Sequence, residues 1–514
     1  MSYVKRKEIV VVIFCLLIGF ALRFYTFDQK SLWLDEVYTF NDSRDGIKDQ
    51  VKFYKENPTF LHPPLFFILT HLFYPLTKPE RDLRIIPLIF GTLSIPLIYF
   101  LSRLISASIA LPCTLSLTFM AYHVSLSQDG RSYSLLLFFG MAGLYFFLKH
   151  LKTLKNRYLI LVALFFASSF YTSYSSIPFI ALSQILWFYR IDEEGHPKFF
   201  SFLLLNGLIL LLFIPWIVFV ALNYHGQPLM PLYQARVPIS LGKILYGVFH
   251  DWVPHLPLLI PSVILLILFP FISKNRKNAF ILLAAFILPV VALYLFCALL
   301  NVNHFITSRY FINFLPIFLI TLYLSLSAIE DKFERLKGVM RLRVLFVILF
   351  TASNLVILPF YYNAEKQDLR GLVNYLKGQL RDGDKIFDGD RIYTPGILHY
   401  FGVYPEGRHY LIPFRKISGK EIEFKKSFVY KNKNYTIYSS YTCCQEYVAY
   451  GSRLWIVAGK ESVKEIKSSI PCVLKGYFDG SFMNLNRFPT DASIYLFLWD
   501  PSSPDEKGID MPIE

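Results

Sequence analysis

The stretch EIVVVIFCLLIGFALRFYTF (residues 8–27), followed by SLWLDEVY (residues 31–38), decides how this chain is read. An apolar run of about 20 residues is long enough to cross a bilayer as a helix. Lys5-Arg6-Lys7 precedes it, which sets its start on the cytoplasmic side. A cleaved signal peptide is the competing reading, but Arg23-Phe24-Tyr25 is a poor cleavage site, so a retained anchor is expected. Two adjacent carboxylates, Asp35-Glu36, then stand at the helix mouth. Such charges are costly near a bilayer unless they face water, a cation or a substrate.

The remaining chain repeats this apolar character as far as Phe360 and then changes. Of 514 residues, 54% are hydrophobic and only 17% charged, against about 25% charged in soluble domains. The expectation is a mainly α, polytopic membrane helical bundle over 1–360 and a C-terminal extracytoplasmic α/β domain over 361–514. A net charge of +15 would suggest nucleic acid in a soluble protein. Most of that excess falls before residue 361, in short loops between apolar runs, so it is read as cytoplasmic loop charge and no nucleic-acid partner is expected. Cys15, Cys113 and Cys297 lie in apolar segments as packing residues. Cys443, Cys444 and Cys472 lie in the tail, where one bridge is open to them.

Basic clusters at Lys149–Arg157, Lys274–Lys277 and Lys332–Arg343 agree with one alternation of roughly eleven spans. These lie near 8–27, 85–102, 108–126, 133–149, 158–173, 175–189, 200–221, 257–273, 279–299, 309–328 and 342–360. The run 62–74 is too short for a span and is read as a juxtamembrane helix on the outer face. Arg23 and Arg103, near span ends, are expected to snorkel. The outer loops hold the long segments rich in His, Asp and aromatic residues, so the chemistry is placed there, opposite a cytoplasmic N-terminus.

On that outer side the candidate residues come in order. Asp35 and Glu36 suit a general base, a cation site or a helix cap. His62-Pro63-Pro64 opens the juxtamembrane helix, with His62 facing phosphate, metal or headgroups. In Gln128-Asp129-Gly130-Arg131-Ser132-Tyr133, Arg131 is a phosphate ligand or the partner of Asp129. Tyr171 and Tyr174, like Tyr133, serve substrate contact or an interfacial aromatic belt. His304 and Arg309 complete the set, Arg309 as a second cation for phosphate or as a headgroup anchor. An anionic lipid head and a hydroxyl acceptor suit this group.

In that order, Trp33-Leu-Asp35-Glu36, His62-Pro63-Pro64-Leu65, Gln128–Leu135, Tyr171-Thr-Ser-Tyr174 and Arg309-Tyr310 resemble the GT-C superfamily of membrane glycosyltransferases. The resemblance is to the bacterial family 39 type, related to protein O-mannosyltransferases and the lipid A aminoarabinose transferase. It runs from about residue 8 to 330, with a weaker echo in Gln367–Leu376. It implies a sugar donor on a polyprenyl phosphate, Asp35 as base with Glu36 beside it, and Arg131, Arg309 and His62 as phosphate contacts. Asp129, Tyr133, Tyr171, Tyr174 and His304 are the implied substrate contacts. Asp129-Gly130 stands where the family has Glu-Ala, and His62 stands where relatives carry Lys. A divalent cation at Asp35 and Glu36 is admitted but not required. The implied reaction is inverting transfer to a hydroxyl of a glycan, lipid or protein, in a bacterial inner membrane.

The tail reads as α/β. Leu369, Leu372, Val373, Leu376 and Leu380 make one helical face, and Lys385–Phe387, Leu454–Val457 and Ile494–Leu498 read as buried strands. The alternative function is a transporter or flippase of lipid-linked sugars. That class calls for repeated halves and midplane charges, and the sequence shows no internal repeat.

Overall fold

The structure, a computed structural model, describes residues 6–56, 62–189, 199–223, 240–300, 308–333, 341–405, 410, 415–418, 421–440, 452–480, 492–503 and 507–510. It divides into two compact units. The first holds Met1–Phe27, Pro58–Phe73 and Leu83–Pro359; the second holds Asp28–Asn57, Tyr74–Asp82 and Phe360–Glu514. The division therefore does not fall at a single chain position. Most of the loop after the first helix packs as part of the C-terminal unit.

The first unit is helical. Five helices among the described residues are long and apolar enough to cross a bilayer, and up to seven if each of two bent pairs is one span. The five are Pro79–Ile105, Tyr133–Thr153, Phe199–Asn223, Ser308–Lys332 and Leu342–Asn363. Helices Arg6–Phe24 and Arg276–Leu300 also stand where spans are expected. Two expected spans are shorter than a bilayer. Arg157–Thr172 has 16 residues, about 24 Å of helix against a core of about 30 Å. Ser176–Leu182 continues only as a 3₁₀ turn to Phe188. The expected span 108–126 is broken at Met120, whose ψ of 109° leaves the helical region and bends the pair by 59°. Leu65–Thr70 is a single short helix followed by one 3₁₀ turn, far too short to cross.

Two glycines set the close approaches of this unit. A Cβ on Gly143 would lie 2.4 Å from the Phe166 ring, so Tyr133–Thr153 and Arg157–Thr172 pack backbone to ring. A Cβ on Gly91 would lie 2.1 Å from Ser127 Oγ, so the short helix Ala121–Ser127 sits directly on Ile85–Ile105. Small residues at such crossings are the usual device of membrane bundles.

Arg23 does not snorkel. It is fully buried, and its guanidinium donates to the carbonyls of Gly19 at 2.8 Å, Leu117 at 3.0 Å and Thr118 at 3.2 Å, and to His123 Nδ1 at 2.7 Å. The carbonyl set explains the difference: the bend at Met120 places the end of the Ala107–Phe119 helix against Arg23, whose flat fork can serve several acceptors at once. Arg103 pairs with Glu8, which also accepts from the Tyr99 hydroxyl at 2.7 Å.

The second unit carries a six-stranded sheet. Its strands are β1 (Asp384–Asp388), β4 (Ser427–Lys431), β5 (Tyr435–Ser440), β6 (Leu454–Gly459), β7 (Val473–Phe478) and β8 (Ile494–Trp499), while β2 (Arg415–Ser418) and β3 (Glu421–Phe424) form a separate hairpin. The sheet order is β4-β5-β1-β6-β8-β7. β5, β1 and β6 are parallel, and the outer pairings are antiparallel. The expected strands at 385, 454 and 494 are β1, β6 and β8, all almost wholly buried. The expected helix is Leu369–Gln379, with Leu369, Leu372, Val373 and Leu376 buried. Cys472 is a free thiol, and Cys443 and Cys444 lie outside the described residues.

Two outcomes test this packing. Gly91→Ala is expected to cost about 1–3 kcal/mol through overpacking, read as earlier thermal unfolding in detergent, whereas Gly207→Ala, with nothing within 4 Å of the added Cβ, carries no such cost. Burial pushes the Asp388 carboxyl up to about 7, against the opposing hydrogen bonds from Thr394. The unfolded chain releases that proton near its ordinary value of 3.8, so stability falls as pH rises from about 4 to about 7 and is level above. Asp388→Asn is expected to flatten this slope in melts of the full chain across that range.

Candidate active site

The acidic pair belongs to the second unit. Trp33 is the N-cap, and the helix Leu34–Ser43 begins immediately after it, with Asp35 and Glu36 in its first turn. Glu36 is fully buried, and its Oε2 accepts from the Trp33 N–H at 3.3 Å, the reach-back of a capping residue. Asp35 is half-buried. The two carboxylates therefore sit in different surroundings, and adjacency in sequence does not make them a matched pair of ligands.

The extended stretch before this helix has no regular partner of its own, and the C-terminal segment supplies one. The Ser31 N–H donates to Glu365 Oε2 at 3.0 Å, the Leu32 N–H to the Tyr400 hydroxyl at 2.7 Å, and the Leu34 N–H to Gln367 Oε1 at 2.8 Å. The Arg370 N–H returns a bond to Ser31 Oγ at 3.1 Å. Lys366 Nζ lies 3.5 Å above the Trp33 ring. Further along, the Tyr410 hydroxyl donates to Asn41 Oδ1 at 2.7 Å, and His399 meets Phe40 edge to face at 4.7 Å. The run Gln367-Asp-Leu-Arg370 is thus the anchor of the acidic helix, while Asp368 caps its own helix through Gly371 N at 2.7 Å. Burial raises the Glu365 carboxyl above its ordinary range, aided by Asp368 and opposed by Ser31, Lys30 and Arg370.

The cationic residues gather in the first unit. Gln128 Nε2 donates to the carbonyls of Arg23 at 2.9 Å and Tyr25 at 2.6 Å, which fixes the loop 128–132 against the end of the first helix. Asp129 is buried and Arg131 half-buried in that loop. The Arg309 guanidinium lies 5.6 Å from the Tyr133 ring and 5.2 Å from the Tyr310 ring, and those two rings meet edge to face at 6.5 Å. Arg131, Tyr133 and Arg309 are thereby brought to one end of the unit.

Beside them is a network that sequence reasoning missed. The Tyr122 hydroxyl donates to Ser308 Oγ at 2.8 Å, and Ser308 Oγ donates to the buried Asp251. Three irregular elements meet there: the short helix after Met120, the 3₁₀ helix Ser308–Phe314, and the end of the helix Leu241–Trp252 before a 112° bend. The signal in the sequence is His250-Asp251 just ahead of Pro254, an acid inside an otherwise apolar run.

The other expected residues separate. The Tyr171 hydroxyl donates to the Leu212 carbonyl at 3.0 Å, and the Tyr174 hydroxyl accepts from Trp216 Nε1 at 2.9 Å, so both hold the helix Phe199–Asn223. His62 stacks at 6.0 Å on Phe67. His304 lies outside the described residues. Among the described residues no three His, Cys, Asp or Glu side chains are gathered as metal ligands, and Glu36 Oε2 is engaged with the Trp33 N–H.

Residues 61–219 match the family model described as dolichyl-phosphate-mannose-protein mannosyltransferase. Across nearly the whole length, the structure is similar to ArnT from Cupriavidus metallidurans in the apo state. The TM-score is 0.54 at 10% identity, covering 96% of this chain and 97% of that one. The chain has the GT-C fold. The same enzyme bound to undecaprenyl phosphate superposes with TM-score 0.50, 11% identity and coverage of 96% and 98%. The apo oligosaccharyltransferase of Archaeoglobus fulgidus gives 0.51 at 12% identity, covering 90% of this chain and 71% of that one. No curated protein sequence matches significantly. The resemblance read from the motifs is borne out, and the glycosyltransferase class with it.

The anchoring predicts a measurable weakness. Tyr400→Phe removes the acceptor of the Leu32 N–H and the donor to Glu80. A lost buried partner costs about 1–3 kcal/mol, so faster limited proteolysis within residues 28–57 is expected, with the helices of the first unit unaffected. Unchanged cleavage would show that the segment is held by other means.

Proposed function

We propose that this chain is an inverting glycosyltransferase that moves a sugar from a polyprenyl-phosphate donor to a hydroxyl acceptor on the extracytoplasmic face of a membrane. The observation that carries this reading is the family match over 61–219, which contains the arginine loop at 131. The similarity in fold to an ArnT structure bound to undecaprenyl phosphate supports a polyprenyl-phosphate donor. Arg309, whose guanidinium lies beside the Tyr133 and Tyr310 rings, supports it further, because neighbouring aromatic rings restrict a guanidinium that is to meet phosphate oxygens.

In this reading Asp35 takes the acceptor hydroxyl proton as its oxygen attacks the anomeric carbon. The departing lipid phosphate is already a good anion, so no general acid is invoked. Arg131 and Arg309, with His62, oppose its growing negative charge through groups fixed in advance. Glu36 sets the start of the helix that carries Asp35. Asp129, Tyr133 and His304 are proposed to contact substrate, and Tyr171 and Tyr174 to shape its surroundings through their helix bonds. Direct displacement gives inversion at the anomeric carbon. A topology of roughly eleven spans goes with this, short and bent helices included, in a bacterial inner membrane. The N-terminus is placed in the cytoplasm, and the domain from 361 outside. The acceptor class is a glycan, lipid or protein hydroxyl.

Transfer from a radiolabelled polyprenyl-phosphate sugar pool tests it in membranes with matched protein levels. Asp35→Asn is expected to lower product by 10²-fold or more, the usual scale for a lost general base. Arg309→Lys keeps the charge but loses the planar fork, and about a tenfold loss is expected. Equal product from wild type and Asp35→Asn would remove Asp35 as the base.

A further inference from the structure

On the second unit, between the helix Leu369–Gln379 and the β4–β5 turn, lies a concavity of about 660 Å³. That volume is in the range of ligand pockets, about 300–1,000 Å³. Its lining has three distinct parts. Phe401 and Tyr435 contribute aromatic rings, 4.8 Å apart and tilted by 32°. Asn432 and Asn434 stand at the turn. Lys377, Arg381 and Lys433 supply three cations against the single carboxylate of Asp382.

The turn and Lys377 are held in place by the fold, and the other two cations stand at the rim. The Gly383 N–H donates to the Asn434 carbonyl at 2.8 Å, which ties the turn to the start of β1. The Asn434 N–H donates to Asn432 Oδ1 at 2.8 Å, so the turn is closed on itself. Lys377 Nζ donates to the Tyr400 carbonyl at 2.7 Å and lies 5.5 Å from the Phe401 ring. Arg381 reaches Asp500 only at 3.9 Å and is largely exposed. Lys433 stands exposed at the tip of the turn.

Half-buried aromatic faces offer the apolar C–H face of a pyranose a surface, and side-chain amides match its paired hydroxyls by donating and accepting together. The surplus of cations then selects a sugar that carries negative charge. We propose that this concavity binds an acidic saccharide unit, one carrying a carboxylate or a phosphate. Under the glycosyltransferase reading the unit is part of the acceptor glycan. The binding itself requires no transfer chemistry.

The test is binding by the full-length protein in detergent, without donor, measured by calorimetry or saturation-transfer NMR. The probes are tetragalacturonate, glucose 6-phosphate, neutral maltotetraose and inorganic phosphate. Tetragalacturonate or glucose 6-phosphate is expected to bind at least tenfold more tightly than maltotetraose, and whichever is tighter shows whether carboxylate or phosphate is the recognised charge. Lys433→Ala with Arg381→Ala is expected to weaken the acidic probe about tenfold and to remove most of its salt dependence. Tyr435→Leu, which keeps an apolar side chain in the wall, is expected to weaken it by a similar factor. Thermal melts matching wild type confirm that these variants fold. Equal binding of acidic and neutral sugars, binding unmoved by the variants, no binding at all, or inorganic phosphate competing as well as the sugar would each overturn the proposal. Asp35→Asn leaves this binding intact, so loss of transfer and loss of binding are separate results.

Discussion

The fixed point of this molecule is the set of hydrogen bonds that satisfies the extended backbone at 31–34. Unpaired buried N–H groups cost about 1–3 kcal/mol each, and this stretch has no helix or sheet ladder of its own. Glu365, Tyr400 and Gln367 accept the N–H groups of Ser31, Leu32 and Leu34, and Glu36 accepts that of Trp33. Those bonds set where Trp33 lies, and Trp33 sets where the acidic helix begins. The position of Asp35 is thus written into residues more than three hundred positions away in sequence.

The first unit applies the same logic to a charge. A lone guanidinium inside an apolar bundle is prohibitive unless every lobe finds an acceptor. Arg23 finds carbonyls freed by the bend at Met120, so the bend and the charge account for each other. Gln128 then reads out the same helix end through two carbonyls and fixes the loop that carries Asp129 and Arg131. Gly91 and Ser127 remove the remaining freedom by bringing the short helix onto its neighbour.

Much of this was legible in the sequence, and the failures have physical causes. The tail strands and the Leu369–Gln379 helix were visible because buried periodicity is a local property. The arginines were visible because charge beside an apolar run is rare. Arg23 was misread because hydropathy ranks a residue by position along a helix and carries no information about acceptors supplied by another. The bends at Met120 and before Leu256 escaped for a related reason. An apolar string reads as continuous whether or not its backbone is. Tyr171 and Tyr174 look like a belt or a binding wall, and only their hydroxyl partners show that they hold a helix. Asp251 was passed over because a single acid in a long loop has no pattern, and its meaning comes from Ser308 and Tyr122, far away in the chain.

The discontinuous second unit also has a consequence for biosynthesis. Ser31 leaves the ribosome with its companion Glu365 still 334 residues from being made. At about 5–20 residues per second that is a wait of roughly 15–70 s. During it, the acidic segment lacks the C-terminal residues that it folds against. The helices can insert one by one as they are made, whereas this segment acquires its shape only when the polypeptide is nearly complete. A chain interrupted before residue 400 would therefore hold its membrane helices and still lack the acceptors that order the start of the acidic helix.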